Sequence, residues 1–144
     1  MEDLLSTYRQ DGDLLALLKR VRRRHGGLGR PVLAQLASEL DLTVGELYGI
    51  VSFYSFLSPA PVGRNLIRVC RCLPCTMQES GTVLEAIRQE LAIGPGETTA
   101  DGRFTLQLVN CIGACELAPA MMVNESRHGP LTTRGVVEIL RSYS

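Results

Sequence analysis

Residues 66–75 read Leu-Ile-Arg-Val-Cys-Arg-Cys-Leu-Pro-Cys, and residues 104–115 read Phe-Thr-Leu-Gln-Leu-Val-Asn-Cys-Ile-Gly-Ala-Cys. Each stretch begins with the apolar pattern of a strand and ends in a short loop of cysteines. The two loops together hold all five cysteines of the 144-residue chain. Because ligands bind at strand ends in α/β architectures, we expect the two loops to meet at one edge of a shared sheet.

The rest of the second half predicts a small α/β unit around these two strands. The segment 81–91 is amphipathic and predicts a helix between them. A third strand is predicted at 120–123, and Gly129-Pro130 breaks the chain before a last helix at 132–141. The predicted order is strand, helix, strand, strand, helix, with His128 in a loop.

The first half predicts helices only. Residues 3–10 have a mixed pattern, and a firmer helix begins after Asp13, whose carboxylate suits the N-cap position. Gly26 ends this helix, and a second helix begins near Pro31, since proline is tolerated in a first turn.

Thr43 and Glu46 have the spacing of a capping box, which predicts the start of a third helix from Val44 to about Leu57. This helix is apolar nearly all round, so we expect it to be buried between partners. Two helices joined by a short turn also suggest a helix-turn-helix. A recognition helix must present polar and basic side chains to DNA, however, and this one presents aromatic and aliphatic residues.

A segment rich in proline and glycine, 58–63, separates the two halves. It predicts a helical domain over residues 1–62 and an α/β domain over residues 63–144. The overall fold class is therefore α/β, with an N-terminal helical bundle in front.

The composition limits the possible partners. Fifteen basic and fifteen acidic residues cancel, so we expect no nucleic-acid partner, and binding to an anionic membrane surface would need a local basic patch. The first residues lack the basic and apolar regions of a signal peptide, and no run reaches the ~20 apolar residues of a membrane span. These features favour a reducing cytoplasm, where clustered cysteines bind metal or carry out redox chemistry.

Three chemistries are compatible with the cysteine loops. The pairs Cys70/Cys75 and Cys111/Cys115 have spacings that allow two thiolates to bind one metal, which fits a structural zinc site. Cys72 and Cys75 have the CxxC spacing of a thiol-disulfide oxidoreductase. Four cysteines on two loops also suit an iron-sulfur cluster. Gly113 would then allow a tight turn and let backbone amides approach sulfur.

Several motifs in order carry a resemblance that separates these possibilities. They are Glu46-Leu-Tyr-Gly-Ile-Val-Ser-Phe-Tyr54, Val69-Cys-(x4)-Cys75, Asn110-Cys-Ile-Gly-Ala-Cys-Glu-Leu-Ala-Pro-Ala-Met-Met-Val-Asn124 and Gly129-Pro-Leu131. They resemble the thioredoxin-like 2Fe-2S ferredoxin subunit of NADH dehydrogenases, over roughly residues 13–142. That family includes the small peripheral subunit of respiratory complex I and the equivalent subunits of NAD(P)-linked formate dehydrogenases and electron-bifurcating iron hydrogenases.

The resemblance implies a thioredoxin-like α/β domain that binds one 2Fe-2S cluster through Cys70, Cys75, Cys111 and Cys115. The first pair would bind one iron and the second pair the other. Cys72 departs from the family pattern and is a spare thiol. Its simplest interpretation is a small apolar side chain, and the alternatives are replacement ligation or redox sensing. Arg68 and Arg71 could offset the cluster's negative charge, but we expect them to be solvated.

The implied function is one-electron transfer beside a flavin- and iron-sulfur-containing subunit that oxidises NAD(P)H, together with further subunits of the host complex. The chain has neither a GxGxxG nor a P-loop motif, so we expect it to bind no dinucleotide or flavin and not to be catalytic alone. The implied location is cytoplasmic, with a possible place at the periphery of a membrane complex. Two alternatives stay open: an iron-sulfur or thiol-based transcription regulator, and a thiol-disulfide oxidoreductase that uses Cys72 and Cys75.

Overall fold

The structure, a computed structural model, describes residues 2–54, 56–57, 59–60, 62–78 and 80–143. The chain divides into two compact units, Met1–Val62 and Gly63–Ser144. This division falls within the predicted boundary segment, of which Ser58 and Pro61 lie outside the described residues. That the two units are separate domains stays a prediction. The fold class is confirmed, because helices alone come first and an α/β sheet unit follows.

The described part of the first unit has four helices around a leucine-rich core. These helices are α1 (Glu2–Asp11), α2 (Leu14–His25), α3 (Arg30–Leu40) and α4 (Val44–Phe53). Asp13 caps α2 as predicted, since its Oδ1 accepts a 2.9 Å hydrogen bond from the Ala16 amide. Helix α1 was not predicted. Its one buried residue is Leu5, and the sequence of the helix gives no clear periodicity.

The predicted capping box at the start of α4 is confirmed. The Glu46 amide donates to Thr43 Oγ1 at 3.2 Å, and the Thr43 amide donates to Glu46 Oε2 at 2.8 Å. These hydrogen bonds lower the pKa of Glu46, the backbone bond from Thr43 being the main cause. The cap therefore weakens as the pH falls through that lowered pKa.

Thr43→Ala is expected to destabilise the first unit by about 1 kcal/mol, because the free amide of Glu46 loses its acceptor. Urea unfolding followed by circular dichroism measures this change. Ser52→Ala is the matched control, since its exposed hydroxyl donates to the Gly49 carbonyl within the same helix. An equal loss of stability in both variants would contradict the capping role.

The predicted length and burial of the third helix are wrong. Helix α4 ends at Phe53, and Tyr54 occupies the C-cap. Its buried residues are Leu47 and Val51, while the side chains of Tyr48 and Phe53 are 53% and 80% exposed. The small helical unit covers only one face of α4, so an apolar sequence does not by itself bury the whole helix.

The second unit is built on a four-stranded mixed sheet. Its strands are β1 (Asn65–Cys70), β2 (Phe104–Val109), β3 (Met121–Val123) and β4 (Ser126–His128), in the order β2-β1-β3-β4. Strands β1 and β2 are parallel, and β3 and β4 continue the sheet antiparallel. The expected loop position of His128 is wrong, because it ends β4 and its Nε2 lies 3.1 Å from Tyr143 Oη. The short, polar β4 has no strand signal in its sequence.

In the part of this unit that the structure describes, three α-helices accompany the sheet: α5 (Leu73–Met77), α6 (Ser80–Leu91) and α7 (Thr133–Ser142). The core packs side chains of α6 and α7 against those of the strands, and its fully buried members include Ile67, Val69, Ile87, Phe104, Leu106, Met121, Val123, Val136 and Leu140. The short helix α5 was not predicted. Among the described residues, no helix has the length and apolar character needed to cross a membrane.

Candidate metal centre

The register of the two parallel strands brings the cysteine loops together. Cys70, the last residue of β1, is paired with Val109, the last residue of β2. The Arg71 amide extends this ladder by donating to the Val109 carbonyl at 2.9 Å. Cys111 therefore follows β2 at the same edge at which Cys70 leaves β1. The sequence-based expectation that both loops lie at one sheet edge is confirmed.

The first loop gathers three thiols. The sulfurs of Cys70, Cys72 and Cys75 all lie within 4.8 Å of one another. Cys70 and Cys75 are 1% exposed, and Cys72 is half-buried. Cys72 occupies the N-cap of α5, and Pro74 in the first turn fixes the path of the chain toward Cys75. The Cys70 and Cys72 sulfurs are 3.1 Å apart.

Asn110, which precedes the second loop, joins it to the first. Its carbonyl accepts a hydrogen bond from the Cys70 thiol at 3.3 Å, and its side-chain oxygen accepts one from Arg71 Nε at 3.1 Å. The two loops are thus connected through both the backbone and the side chain of one residue. Nothing in the sequence assigned Asn110 this role, although it stands directly before Cys111.

The second loop turns at Gly113, as predicted. This glycine has a φ of +67°, a conformation that favours glycine. Its amide donates to the Cys111 sulfur at 3.3 Å. Cys115 begins a single turn of 3-10 helix, Cys115–Leu117, and both Cys111 and Cys115 are exposed. The hydrogen bond from the Gly113 amide stabilises negative charge on the Cys111 sulfur.

Arg127 on β4 holds the second loop from outside. Its Nη1 donates to the Gly113 carbonyl at 2.8 Å and lies 3.6 Å from Glu116 Oε1. These contacts fix the middle of the Cys111–Cys115 loop and place a positive charge beside it. Arg127 was not identified in the sequence, because it lies 14 residues from Gly113 on a strand that was not predicted.

The two arginines expected to be solvated behave differently from each other. Arg68 is 9% exposed, and its guanidinium donates to the Asn124 carbonyl at 3.3 Å. The expectation is wrong for Arg68, because it lies inside β1, where all six residues are buried. Arg71 is exposed but bonds to Asn110, so it serves the contact between the loops.

The thiol pKa values report how close the cysteines are to one another. Burial, followed by hydrogen bonding to Cys70, raises the pKa of Cys75 to about 12. The hydrogen bond with Cys70 lowers the pKa of Cys72, with smaller contributions from Cys75 and Cys115. Desolvation, and then the charge on Cys111, raises the pKa of Cys115, to which Cys72 and Cys70 also contribute. Thiols of both loops thus contribute to the pKa shifts of Cys72 and Cys115.

These residues fit a thiolate-bound metal group. Metal binding to cysteine requires deprotonation, and the site supplies several thiols in one place with an amide directed at sulfur. Buried Cys70 and Cys75 lie on the inner side, and exposed Cys111 and Cys115 lie on the outer side. The assignment of these four as the ligands stays a prediction, and the close group of three includes Cys72.

Comparison with known proteins gives a consistent result. The family model described as thioredoxin-like 2Fe-2S ferredoxin matches residues 1–144. A subunit of the NADH-quinone oxidoreductase of Pseudomonas aeruginosa is 37% identical over 126 residues, which are 88% of this chain and 76% of that protein. The NADP-reducing hydrogenase subunit HndA of Solidesulfovibrio fructosivorans is 33% identical over 138 residues, which are 96% of this chain and 81% of that protein.

Solved structures support the fold. A crystal structure of an NAD+-reducing [NiFe]-hydrogenase in the air-oxidized state matches with a TM-score of 0.73 and 24% identity. The match covers 87% of this chain, which spans about a fifth of the hydrogenase chain, 22%. The H2-reduced state of such an enzyme matches with a TM-score of 0.74.

Proposed function

The chain belongs to the thioredoxin-like 2Fe-2S ferredoxin family, and we propose on that basis that it is the electron-transfer subunit of a multi-subunit NAD(P)H-linked oxidoreductase. We further propose that Cys70, Cys75, Cys111 and Cys115 bind its one 2Fe-2S cluster. The observation that carries the proposal is the meeting of both cysteine loops at the paired ends of β1 and β2. In this proposal Cys70 and Cys75 bind one iron, and Cys111 and Cys115 bind the other.

The bound cluster supplies the ability to accept and release one electron. The chain's own residues hold it and adjust its environment. Burial of Cys70 and Cys75 keeps water from the inner side of the site. The amide of Gly113 stabilises charge on the Cys111 sulfur. The exposed second loop leaves the outer side open to a redox partner.

The partner is a flavin- and iron-sulfur-containing subunit that oxidises NAD(P)H. Two observations support this proposal. First, the sequence has neither GxGxxG nor a P-loop motif for a nucleotide, so dinucleotide oxidation takes place elsewhere. Second, the relatives are named as subunits of an NADH-quinone oxidoreductase and of an NADP-reducing hydrogenase. Within such an assembly this chain is a peripheral, cytoplasmic subunit that mediates electron transfer without catalysing the substrate reaction.

The cluster is tested on protein purified without oxygen. We expect about two irons and two labile sulfides per chain, and a one-electron EPR signal after reduction. Zinc in place of iron would contradict the proposal and would favour a structural site.

The partner is tested by purifying the tagged chain from its native host under the same conditions. We expect a flavin-containing subunit with NAD(P)H-oxidising activity to be recovered with it. Recovery of the chain alone, bound to a specific DNA sequence at low salt, would instead favour a transcription regulator.

Arg127→Gln is expected to lower the reduction potential of the cluster, because a positive charge beside the second loop is removed. It is also expected to weaken the contacts that hold this loop to β4. An exposed charge contributes about 0.2–1 kcal/mol, which for one electron corresponds to at most about 40 mV. Redox titration followed by EPR measures the shift. Arg127→Lys is the control, since it keeps the charge but loses the planar guanidinium that reaches both Gly113 and Glu116. A potential unchanged in the glutamine variant would contradict this role.

A further inference from the structure

The first cysteine loop contains one thiol more than its share of ligands. Cys70, Cys72 and Cys75 gather their sulfurs within 4.8 Å, whereas the proposed cluster takes two ligands from this loop. Two sulfurs on one tetrahedral metal with bonds of about 2.3 Å lie roughly 3.8 Å apart. Thiols grouped this closely can therefore supply a ligand pair in more than one combination. The second loop contains only Cys111 and Cys115 and has no such surplus.

We propose that Cys72 is a reserve ligand of the cluster, which takes the place of Cys70 on iron while Cys75 stays bound. This inference rests on the proposed function. In the exchange the iron–sulfur bond of Cys70 breaks and that of Cys72 forms. The thiol proton of Cys72 passes to the released Cys70 sulfur. No residue is oxidised or reduced, so the exchange needs no external oxidant or reductant.

The position of Cys72 allows this exchange at small structural cost. Its sulfur lies 3.1 Å from that of Cys70. Replacing the Cys70 sulfur by the Cys72 sulfur on iron therefore requires only a short movement of the loop. Cys72 stands at the N-cap of α5 but makes no side-chain capping hydrogen bond. Rotating its thiol toward iron therefore takes no cap from the helix. Together with Cys75 it also has the CxxC spacing that binds one metal without backbone strain.

The surroundings of Cys70 also suit its release. The Asn110 carbonyl lies 3.3 Å from the Cys70 sulfur and accepts a hydrogen bond from its thiol. A Cys70 thiol that has left iron is thus hydrogen-bonded in a buried position. An unpaired buried polar group would carry a free-energy cost, which this acceptor reduces. Both forms of the loop are therefore compatible with the same backbone.

The experiment compares four full-length variants, each purified without oxygen: Cys70→Ala, Cys72→Ala, the double variant, and Cys111→Ala as the control from the second loop. Alanine is used because it cannot bind iron. Iron, sulfide and the EPR signal of the reduced protein are measured, and circular dichroism reports folding. A chelator of ferrous iron then measures the rate of cluster loss.

We expect Cys70→Ala to keep more than about half of the wild-type iron and sulfide, with altered EPR g values. The double variant and Cys111→Ala are expected to lose the cluster. We expect Cys72→Ala to release iron to the chelator about tenfold faster than the wild type, since the thiol beside the ligands Cys70 and Cys75 is then missing.

A Cys70→Ala variant that is folded and as empty as the double variant would overturn the reserve role. If Cys70→Ala does not fold, the release rate of Cys72→Ala decides: faster release supports the role, and the wild-type rate overturns it. Failure of the proposed function itself looks different, because the wild-type chain would then contain no iron and sulfide.

Discussion

Cys115→Ala is expected to abolish the 2Fe-2S cluster. Cys115 shares the second loop with Cys111 only, and the fifth thiol, Cys72, belongs to the first loop, where its sulfur lies 3.1 Å from that of Cys70. Loss of this thiolate would leave one iron with three ligands. That iron would also face water, because both cysteines of the second loop are exposed. The purified variant should contain less than about a tenth of the wild-type iron and sulfide and should show no EPR signal after reduction.

Ile112→Ala is the matched control for this variant. It removes a half-buried side chain from the same loop and leaves both thiols in place. We expect it to keep its cluster. If Cys115→Ala retained the full amount of iron and sulfide with wild-type EPR g values, Cys115 would not be a ligand.

Gly129→Ala is expected to damage the site without touching a cysteine. A Cβ at Gly129 would overlap the Leu117 carbonyl oxygen and approach Leu117 Cβ to 2.9 Å. Leu117 belongs to the turn that begins at Cys115, so the added methyl group must displace this turn or the chain beneath it. Forcing extra volume into a packed site costs about 1–3 kcal/mol. We expect lower thermal stability and a cluster content below the wild-type value.

Gly81→Ala provides the comparison for this substitution. Gly81 lies in α6, and a Cβ there meets no atom within 4 Å. Alanine is the better helix former by about 1 kcal/mol, so this variant should be as stable as the wild type or more stable. Equal behaviour of the two variants would mean that contact with Leu117 is not what makes Gly129 necessary.

The features that could be predicted are those that repeat along a strand or helix. The apolar runs before Cys70 and Cys111 predicted β1 and β2, and parallel pairing then brought the two loops to one edge. The capping residues Asp13 and Thr43 were predicted because a cap uses local hydrogen bonds between neighbours in sequence. For each of these strands and caps the signal lies within a few residues of the element that it predicts.

The features that were missed depend on contacts between distant residues. Strand β4 is polar and has only three residues, so it forms because β3 provides a partner for it. Once β4 is present, Arg127 reaches Gly113 across the sheet edge. Burial of Arg68 likewise depends on neighbours of β1 that no local pattern reveals. Tertiary packing, and not propensity, determined these positions.

The pairing of β1 with β2 affects how well the folded chain resists unfolding and degradation. The sulfur of Cys70 and the carbonyl of Asn110 touch although 40 positions separate them. An inorganic group bound by both loops therefore acts as a cross-link, and closing a loop of this length restricts the unfolded chain by about 4 kcal/mol in the chain-entropy model. A chain that has lost its cluster also loses this restraint. We expect that form to unfold more often and to be the one that proteases degrade.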